Sequence, residues 1–460
     1  MDGRTLDAMR TALRGPVIGP QDPEYDRSRA IYNAMIDRRP AALVRCADAA
    51  DVMAAVDFIR DNGLEVAVRG GGHSGPGLGL VEDGVTIDLS PMRWVRVDPA
   101  ARTARAGGGS LLGDLDHAAH GFGLATPAGV MSTTGLGGLT LGGGHGYLTR
   151  KYGLTVDNLL SADVVLADGG FVTASETENP DLFWGLRGGG GNFGIVTSFD
   201  FRLHPVGSVG VGMTVWPVDS GREVLRWYRE FLPRAPDDLN GFCALFTIPP
   251  GPPFPEEIHG RKMWGVVWCW TGDPQRLDET LTVVNEAGPP AFHFTTPMPY
   301  PALQSMFDTL IPAGLQWYWR GHFFDRITDE AIDVHAKYAE NLPTELSLMH
   351  LYPVDGAAGR VAPDDTAWSY RDAVWSAVIA GVDPDPANAR AVKQWCVDYW
   401  EELRPHSMGA AYVNFMDAES QDRVRAAYRG HYDRLAEIKR TYDPHNFFHV
   451  NQNIEPAEQY

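Results

Sequence analysis

Apolar and polar positions along this chain follow two rhythms. A short apolar run at residues 42–46 gives way to a 3.6-residue period over 48–62, with Ala49, Val52, Val56 and Ile59 on one face. Asp48 stands where a helix cap belongs and Gly63 where the helix would stop. A second apolar run follows at 64–69, so the pattern predicts a βαβ unit. Further strands are predicted at 85–89, 95–97 and 103–106, and a short helix at 111–120. Strands at 159–166 and 171–174 flank the hairpin signal Asp168-Gly169-Gly170. Residues 195–203 alternate as one long strand.

The texture changes near Pro205. From 207 to 404, aromatic strands (211–216, 264–270, 317–323, 346–352) alternate with amphipathic helices (222–231, 276–287, 329–339). That order predicts an antiparallel sheet with helices covering one face. After Pro405 the pattern predicts one strand, 411–415, and one long helix, 418–441, stopped by Asp443-Pro444. The expected fold class is α+β, with a two-lobed α/β region over 1–206 and a second domain over 207–404. No repeat of fixed period is present.

Composition narrows the function. A hydrophobic share of 44% excludes a disordered chain. With 39 basic and 59 acidic residues the net charge is −20, which disfavours nucleic acid and anionic membranes alike. No apolar stretch reaches a membrane span, and the polar start MDGRTLDAMRTALRG lacks a signal-peptide core. Cys46, Cys243, Cys269 and Cys396 are far apart and form no metal-ligand spacing. A cytoplasmic enzyme with no metal fits these features.

Glycine carries the chemistry. Arg69-Gly70-Gly71-Gly72-His73-Ser74 follows a predicted strand, where backbone N–H groups can converge on an anion. Seven of the twelve residues from Gly135 to Gly146 are glycine, a density suited to backbone wrapped around a large flat or polyanionic ligand. Gly188 to Gly191 forms a third loop, leading into Gly194 and Val196. None is a Walker A or a dinucleotide-binding GxGxxG. On its own His73 is open to a structural or a functional reading. In 411–415, alternation puts Tyr412 and Asn414 on one face, and in 346–352 it does the same for His350 and Tyr352. Both pairs are open to a catalytic or a packing role. Trp317, Trp319 and His322 form a further candidate group, with aromatic packing favoured.

These motifs resemble the covalent-flavin oxidoreductases of the vanillyl-alcohol oxidase superfamily, in their berberine-bridge-enzyme-like group. The resemblance rests on Arg69 to Ser74 and on Gly135 to Gly153, ending Tyr147-Leu148-Thr149-Arg150-Lys151-Tyr152-Gly153. It extends to Asp157-Asn158, Asp181-Leu182-Phe183-Trp184, Arg187 to Thr197, Tyr412 to Phe415 and Tyr442-Asp443-Pro444 with Asn451. It implies a PCMH-type FAD-binding domain completed by residues 405–460, and a substrate domain over 207–404. It implies FAD held by Arg69, Gly70, Gly71, Gly72, Ser74, Thr133, Thr134, Gly135 and Gly138. Gly142, His145, Gly146, Asn158, Gly194, Val196, Asn414 and Asn451 complete the implied cofactor set.

The resemblance makes His73 the covalent flavin ligand. Many relatives add a cysteine bond, but Met131 stands at that position, and Leu139 replaces a frequent histidine. One covalent bond is therefore expected. A hydride would pass from a small organic substrate (an alcohol, sugar or cyclic amine) to flavin N5. Tyr412 is expected to assist proton removal, with His350 and Tyr352 orienting the substrate. Thr134, smaller than leucine, suggests an open oxygen cavity and O₂ as acceptor, giving H₂O₂. A dehydrogenase with another acceptor, or a flavin-binding protein with little turnover, stays open, as does a homodimer.

Overall fold

The computed structural model describes residues 3–458. The βαβ reading holds. Strand Ala42–Arg45 leads into helix Ala49–Asp61, whose cap is the Asp48 carboxylate accepting from Asp51 N. Val52, Val56 and Ile59 are buried on its inner face, and Gly63 at φ +60° ends it. Ala42–Arg45 and Val66–Arg69 run parallel to Val85–Asp88, which lies between them. Val17–Ile18 adds an antiparallel edge. A second sheet is wholly antiparallel, in the order Val95–Asp98, Thr103–Gly107, Ile195–Arg202, Leu159–Val165, Phe171–Ser175. These two sheets form the two lobes that the sequence pattern predicts for the first part of the chain.

A third sheet has seven antiparallel strands, ordered Phe292–Pro299, Ser208–Pro217, Lys262–Trp270, Leu239–Thr247, Leu348–Pro353, Trp375–Asp383, Gln316–Phe324. Helices Gly221–Phe231, Asp329–Glu340 and Ala389–Leu403 cover one face, burying Trp216, Trp264, Trp268 and Trp375. Alternation sends Met213, Phe242, Val267 and Tyr352 to the opposite face, toward the two lobes. The sequence pattern left residues 239–247, 292–299, 375–383 and the helix at 389–403 unassigned.

Four expectations are corrected. The single helix over 418–441 is two, Gln421–Tyr428 and Tyr432–Tyr442, because Arg429 takes φ +47° beside Gly430. The helix at 276–287 has only one α segment, Leu277–Thr280; the β-branched Thr282, Val283 and Val284 lie in a 3₁₀ stretch, Leu281–Ala287. The strand at 411–415 is absent: Tyr412 is extended and Val413–Phe415 is a 3₁₀ turn. The glycine-rich run from 135 is not all loop, since Leu136–Gly142 is a short helix turning out at Gly143, φ +128°.

Two motifs tie the sheets together. Arg150, fully buried, pairs with Asp355 at 2.8 Å and donates to the carbonyls of Ala235, Pro236 and Leu239. Lys151 pairs with Asp238 at 2.5 Å. Asp157 holds Arg371 through two bonds of 2.6 and 2.9 Å.

Candidate active site

A cavity of about 880 Å³ lies between the glycine loops and the uncovered face of the seven-stranded sheet. Its glycine wall is assembled back to back. A Cβ on Gly71 would lie 2.4 Å from Gly135 Cα, so these loops touch only because both are glycine. At Gly138 and Gly191 a Cβ would meet no protein atom within 4 Å, so the wall leaves room there for a ligand. The Asn451 side chain borders the same space. Its amide donates to Gly191 O and Phe448 O, while its Oδ1 is buried with no partner. Glycine backbone and an unfilled acceptor fit a large, flat, polar cofactor better than they fit a packed core.

The C-terminal segment braces this wall. Lys439 Nζ, completely buried, donates to Asp443 at 2.6 Å, Asn192 O at 2.7 Å and Phe448 O at 2.9 Å. The Asp443 carboxylate accepts from Phe447 N and Phe448 N, which fixes the turn leading to Asn451.

His73 enters from the loop after Val66–Arg69. Tyr32 stacks on it with ring centroids 3.8 Å apart, and its Nε2 lies 3.3 Å from Thr133 Oγ1. Burial pushes its pKa down to about 4, so the ring is neutral near pH 7. Tyr32 was missed from sequence, because nothing in the pattern near residue 32 marks a ring that supports a site.

On the opposite wall His350 Nδ1 lies 2.6 Å from the Tyr352 hydroxyl, and His350 Nε2 has no protein partner among the described residues. Burial pushes His350 down to about 3 and raises Tyr352. Phe242 packs against both rings, at 4.9 and 5.1 Å. Buried His145 lies between Tyr352 and Tyr412, with both ring nitrogens unpartnered.

Tyr412 departs from its expected role. Its hydroxyl donates to Leu139 O at 3.3 Å and accepts from Gly144 N at 3.0 Å and Asn414 Nδ2 at 2.6 Å. One donation and two acceptances use up its capacity, and burial raises its pKa. It borders the cavity but holds the glycine helix and Asn414 in place. The structure therefore opposes its use as the base.

Most other expected residues border the cavity: Gly70, Gly71, Gly72, Ser74, Thr134, Gly135, Gly138, Gly194, Val196 and Asn414. The Ser74 hydroxyl also accepts from Leu78 N. Arg69 borders the cavity too, but its guanidinium is spent on Asp88 at 2.7 Å and on Ser28 O. Thr133, Asn158, Gly142 and Gly146 do not border it, Thr133 lying behind His73. Asn158 instead bridges Tyr152 O, Leu154 O and His204. Gly142 gives Asn414 room, since a Cβ there would lie 2.5 Å from its amide. Gly146 lies against Ala128 O, which a Cβ would meet at 2.2 Å. Trp317 and Trp319 face the cavity, whereas His322, on the other strand face, stacks on Trp400.

Glycine loops around a cofactor-sized cavity, a neutral histidine on one wall and a histidine–tyrosine pair on the other define a flavin-dependent oxidoreductase. Residues 40–175 match the FAD binding domain family, and residues 411–455 match the berberine and berberine-like family. The chain is 32% identical to an FAD-linked oxidoreductase of Bacillus subtilis (strain 168), covering 98% of this chain and 99% of that one. It is 30% identical to (R)-6-hydroxynicotine oxidase of Paenarthrobacter nicotinovorans, covering 97% of each. The crystal structure of 6-hydroxy-D-nicotine oxidase from Arthrobacter nicotinovorans superposes with a TM-score of 0.86 at 26% identity, over 97% of this chain and 98% of that one. The chain belongs to the berberine-bridge-like FAD-linked oxidoreductases, and FAD is its cofactor. Among the described residues no cluster could hold a metal ion, and no helix is long and apolar enough to cross a membrane.

Proposed function

We propose that the protein is an oxidase of a small organic substrate, with FAD attached through one bond to His73 and O₂ as the final acceptor. In this reading residues 1–206 and 405–460 form the flavin domain and 207–404 the substrate domain. The loops at Gly70–Gly72, Thr134-Gly135, Gly138 and Gly190-Gly191, with Gly194, Val196, Asn414 and Asn451, would hold the cofactor. When bound, the flavin supplies the two-electron acceptor for a hydride.

The chain's own residues supply position and proton acceptance. Burial keeps the His73 imidazole neutral, so a ring nitrogen lone pair is available for the covalent bond. Thr133 engages Nε2, which leaves Nδ1 as the bonding atom. Met131 borders the cavity where relatives have a second attachment, and all four cysteines are buried elsewhere. The His350–Tyr352 pair is the observation that carries the reading. In the tautomer this reading requires, with the Nδ1 proton donated to Tyr352, His350 Nε2 would be the unfilled acceptor for the substrate's proton. Tyr412 positions Asn414 rather than accepting that proton. Thr134 leaves space beside the flavin site for oxygen.

Anaerobic mixing with candidate substrates tests the reading. Bleaching of the flavin, followed on aeration by recovery and stoichiometric H₂O₂, is the expected result. Recovery no faster than that of free reduced flavin would make another compound the acceptor. A flavin released by acid precipitation would refute the covalent bond.

A further inference from the structure

The strand register writes out the substrate wall residue by residue. Phe294, Met213, Val267 and Phe242 are neighbours across four strands, all facing the cavity. The adjoining row places Ala244, His350 and Val378 side by side. Two residues further along stand Phe246, Ala380 and Trp319. Phe307 closes over Phe242 edge to face, with ring centroids 6.2 Å apart. This floor is mostly aromatic and aliphatic; its polar groups are the His350–Tyr352 pair, with His145 against Tyr352, Thr247 at the end of its strand and the unpartnered Trp317 N–H. The Trp319 N–H is already used on Asn414 O.

Charge is as sparse as polarity. Among the described residues bordering the cavity, the acidic and basic side chains are Arg69, bound to Asp88, and Glu345, exposed at the rim. His350 and Tyr352 are held neutral by burial.

We infer that the substrate is an uncharged aromatic or polycyclic alcohol with its hydroxyl at the reacting carbon, neither a sugar nor an ammonium compound. The inference rests on the proposed reading of this cavity as a flavin site with a substrate chamber. A flat apolar body gains by burial against Phe242, Phe246 and Phe294. Its hydroxyl meets the polar cluster at His350, Tyr352 and His145. A sugar would set hydroxyls on every face against Phe242, Phe246, Phe294, Met213 and Val267, and each left unpaired there loses more than its carbon gains. An ammonium would be desolvated with no counter-ion, a cost larger than its attraction to phenylalanine faces. The reaction balances as alcohol to ketone. The carbon-bound hydrogen would leave as hydride to the bound flavin and the hydroxyl proton would pass to His350 Nε2; O₂ would then take two electrons together with the flavin N–H proton and the proton released by His350, giving H₂O₂.

The test uses the flavin-loaded protein and three probes: 1-(2-naphthyl)ethanol, its isostere 1-(2-naphthyl)ethylamine, and cellobiose. Binding is read anaerobically from the flavin's visible absorption band and independently from the shift in melting temperature. The alcohol is expected to perturb the band and raise the melting temperature, with the amine at least about tenfold weaker and cellobiose without effect. Phe246→Ser should weaken the alcohol by about tenfold, the scale of one lost ring contact, while leaving flavin content unchanged. Cellobiose or the amine binding as well as the alcohol would overturn the inference, as would a yellow protein that binds none of the three. A protein isolated without flavin would refute the functional reading itself before any probe is added, and this inference with it.

Discussion

His350 Nδ1 and the Tyr352 hydroxyl lie 2.6 Å apart, two residues along one strand, so both side chains leave the sheet on the same face. Across the cavity, the Tyr412 hydroxyl has all its hydrogen-bonding capacity engaged. Burial keeps the His350 ring neutral at rest, so its free Nε2 is expected to relay a proton rather than hold it, a part that the fully engaged Tyr412 hydroxyl is not placed to play. Anaerobic flavin reduction should be slowed about 10²-fold or more by His350→Gln, within the range of a positioned base. Tyr412→Phe should slow it less than about tenfold while lowering stability, because Gly144 N and Asn414 lose an acceptor. The opposite ranking in stopped-flow traces would return the base to Tyr412.

His73→Ala should abolish covalent flavin without unfolding the lobe. The loop keeps Gly70–Gly72, and the stacked Tyr32 keeps its hydroxyl bond to Ile311 O. Acid-precipitated variant should be colourless. Wild-type tryptic digests should show flavin mass on the His73 peptide and on no cysteine peptide.

Gly71→Ala should be far more damaging than its one added methyl suggests. The new Cβ would fall 2.4 Å from Gly135 Cα, a backbone atom with no freedom to turn aside. The two glycine loops would have to part, and the yield of flavin-loaded protein should drop severely. The same substitution at Gly138, with nothing of the protein within 4 Å, should leave folding intact and act on flavin content.

Arg150→Met should cost about 3 kcal/mol or more, the scale for removing one partner of a buried pair. It strands Asp355 and takes a donor from the carbonyls of Ala235, Pro236 and Leu239, of which Pro236 O keeps Leu239 N. Denaturant melts should show the loss. Lys151→Met, whose pair with Asp238 is partly exposed, should cost under about 1 kcal/mol.

Acid should destabilise the fold. Burial lowers His73 and His204 to about 4, and His145, His322, His335 and His350 to about 3. Between about pH 6.5 and those values the unfolded chain binds protons that the folded rings refuse, so stability falls as pH falls. Asp116, raised by burial to about 7, acts oppositely: between 3.8 and 7 the fold binds a proton the unfolded chain releases. Asp355, also raised by burial, acts with it, and these two carboxyls are outnumbered by six rings. The melting temperature should therefore drop by about 5 °C or more from pH 7 to pH 5.

The cofactor wall was legible in the sequence because close backbone approach demands glycine, and no other residue type can substitute for it at Gly71 or Gly135. Gly146 reads like a cofactor residue for the same reason, and Asn158 does so through the resemblance of its Asp157-Asn158 motif. Their motifs, however, serve the braces behind the wall, and spacing alone does not separate a glycine that faces a ligand from one that faces a carbonyl. Tyr412 and Asn414 were paired correctly through a strand that does not exist; a 3₁₀ turn brings the same two side chains together. The substrate wall stayed hidden, because Phe242 in a strand packed on helices and Phe242 in a strand facing a chamber have identical local sequence. The break at Arg429 was equally silent, since only tertiary contacts favour its φ of +47°.

The brace formed by Lys439, Asp443 and Asn192 sets the order of events during synthesis. A nascent chain that has emerged only as far as residue 405 already carries His73, both glycine loops and the complete seven-stranded sheet. It lacks Asn414, Asn451 and the lysine that locks the third glycine loop. Domains fold as their residues emerge, but this cleft needs both ends of its polypeptide at once. On the proposed reading, flavin loading is expected only after residues 405–460 have emerged. A message truncated a few dozen codons early would yield an apoprotein whose largest sheet is intact and whose cofactor has no place to settle.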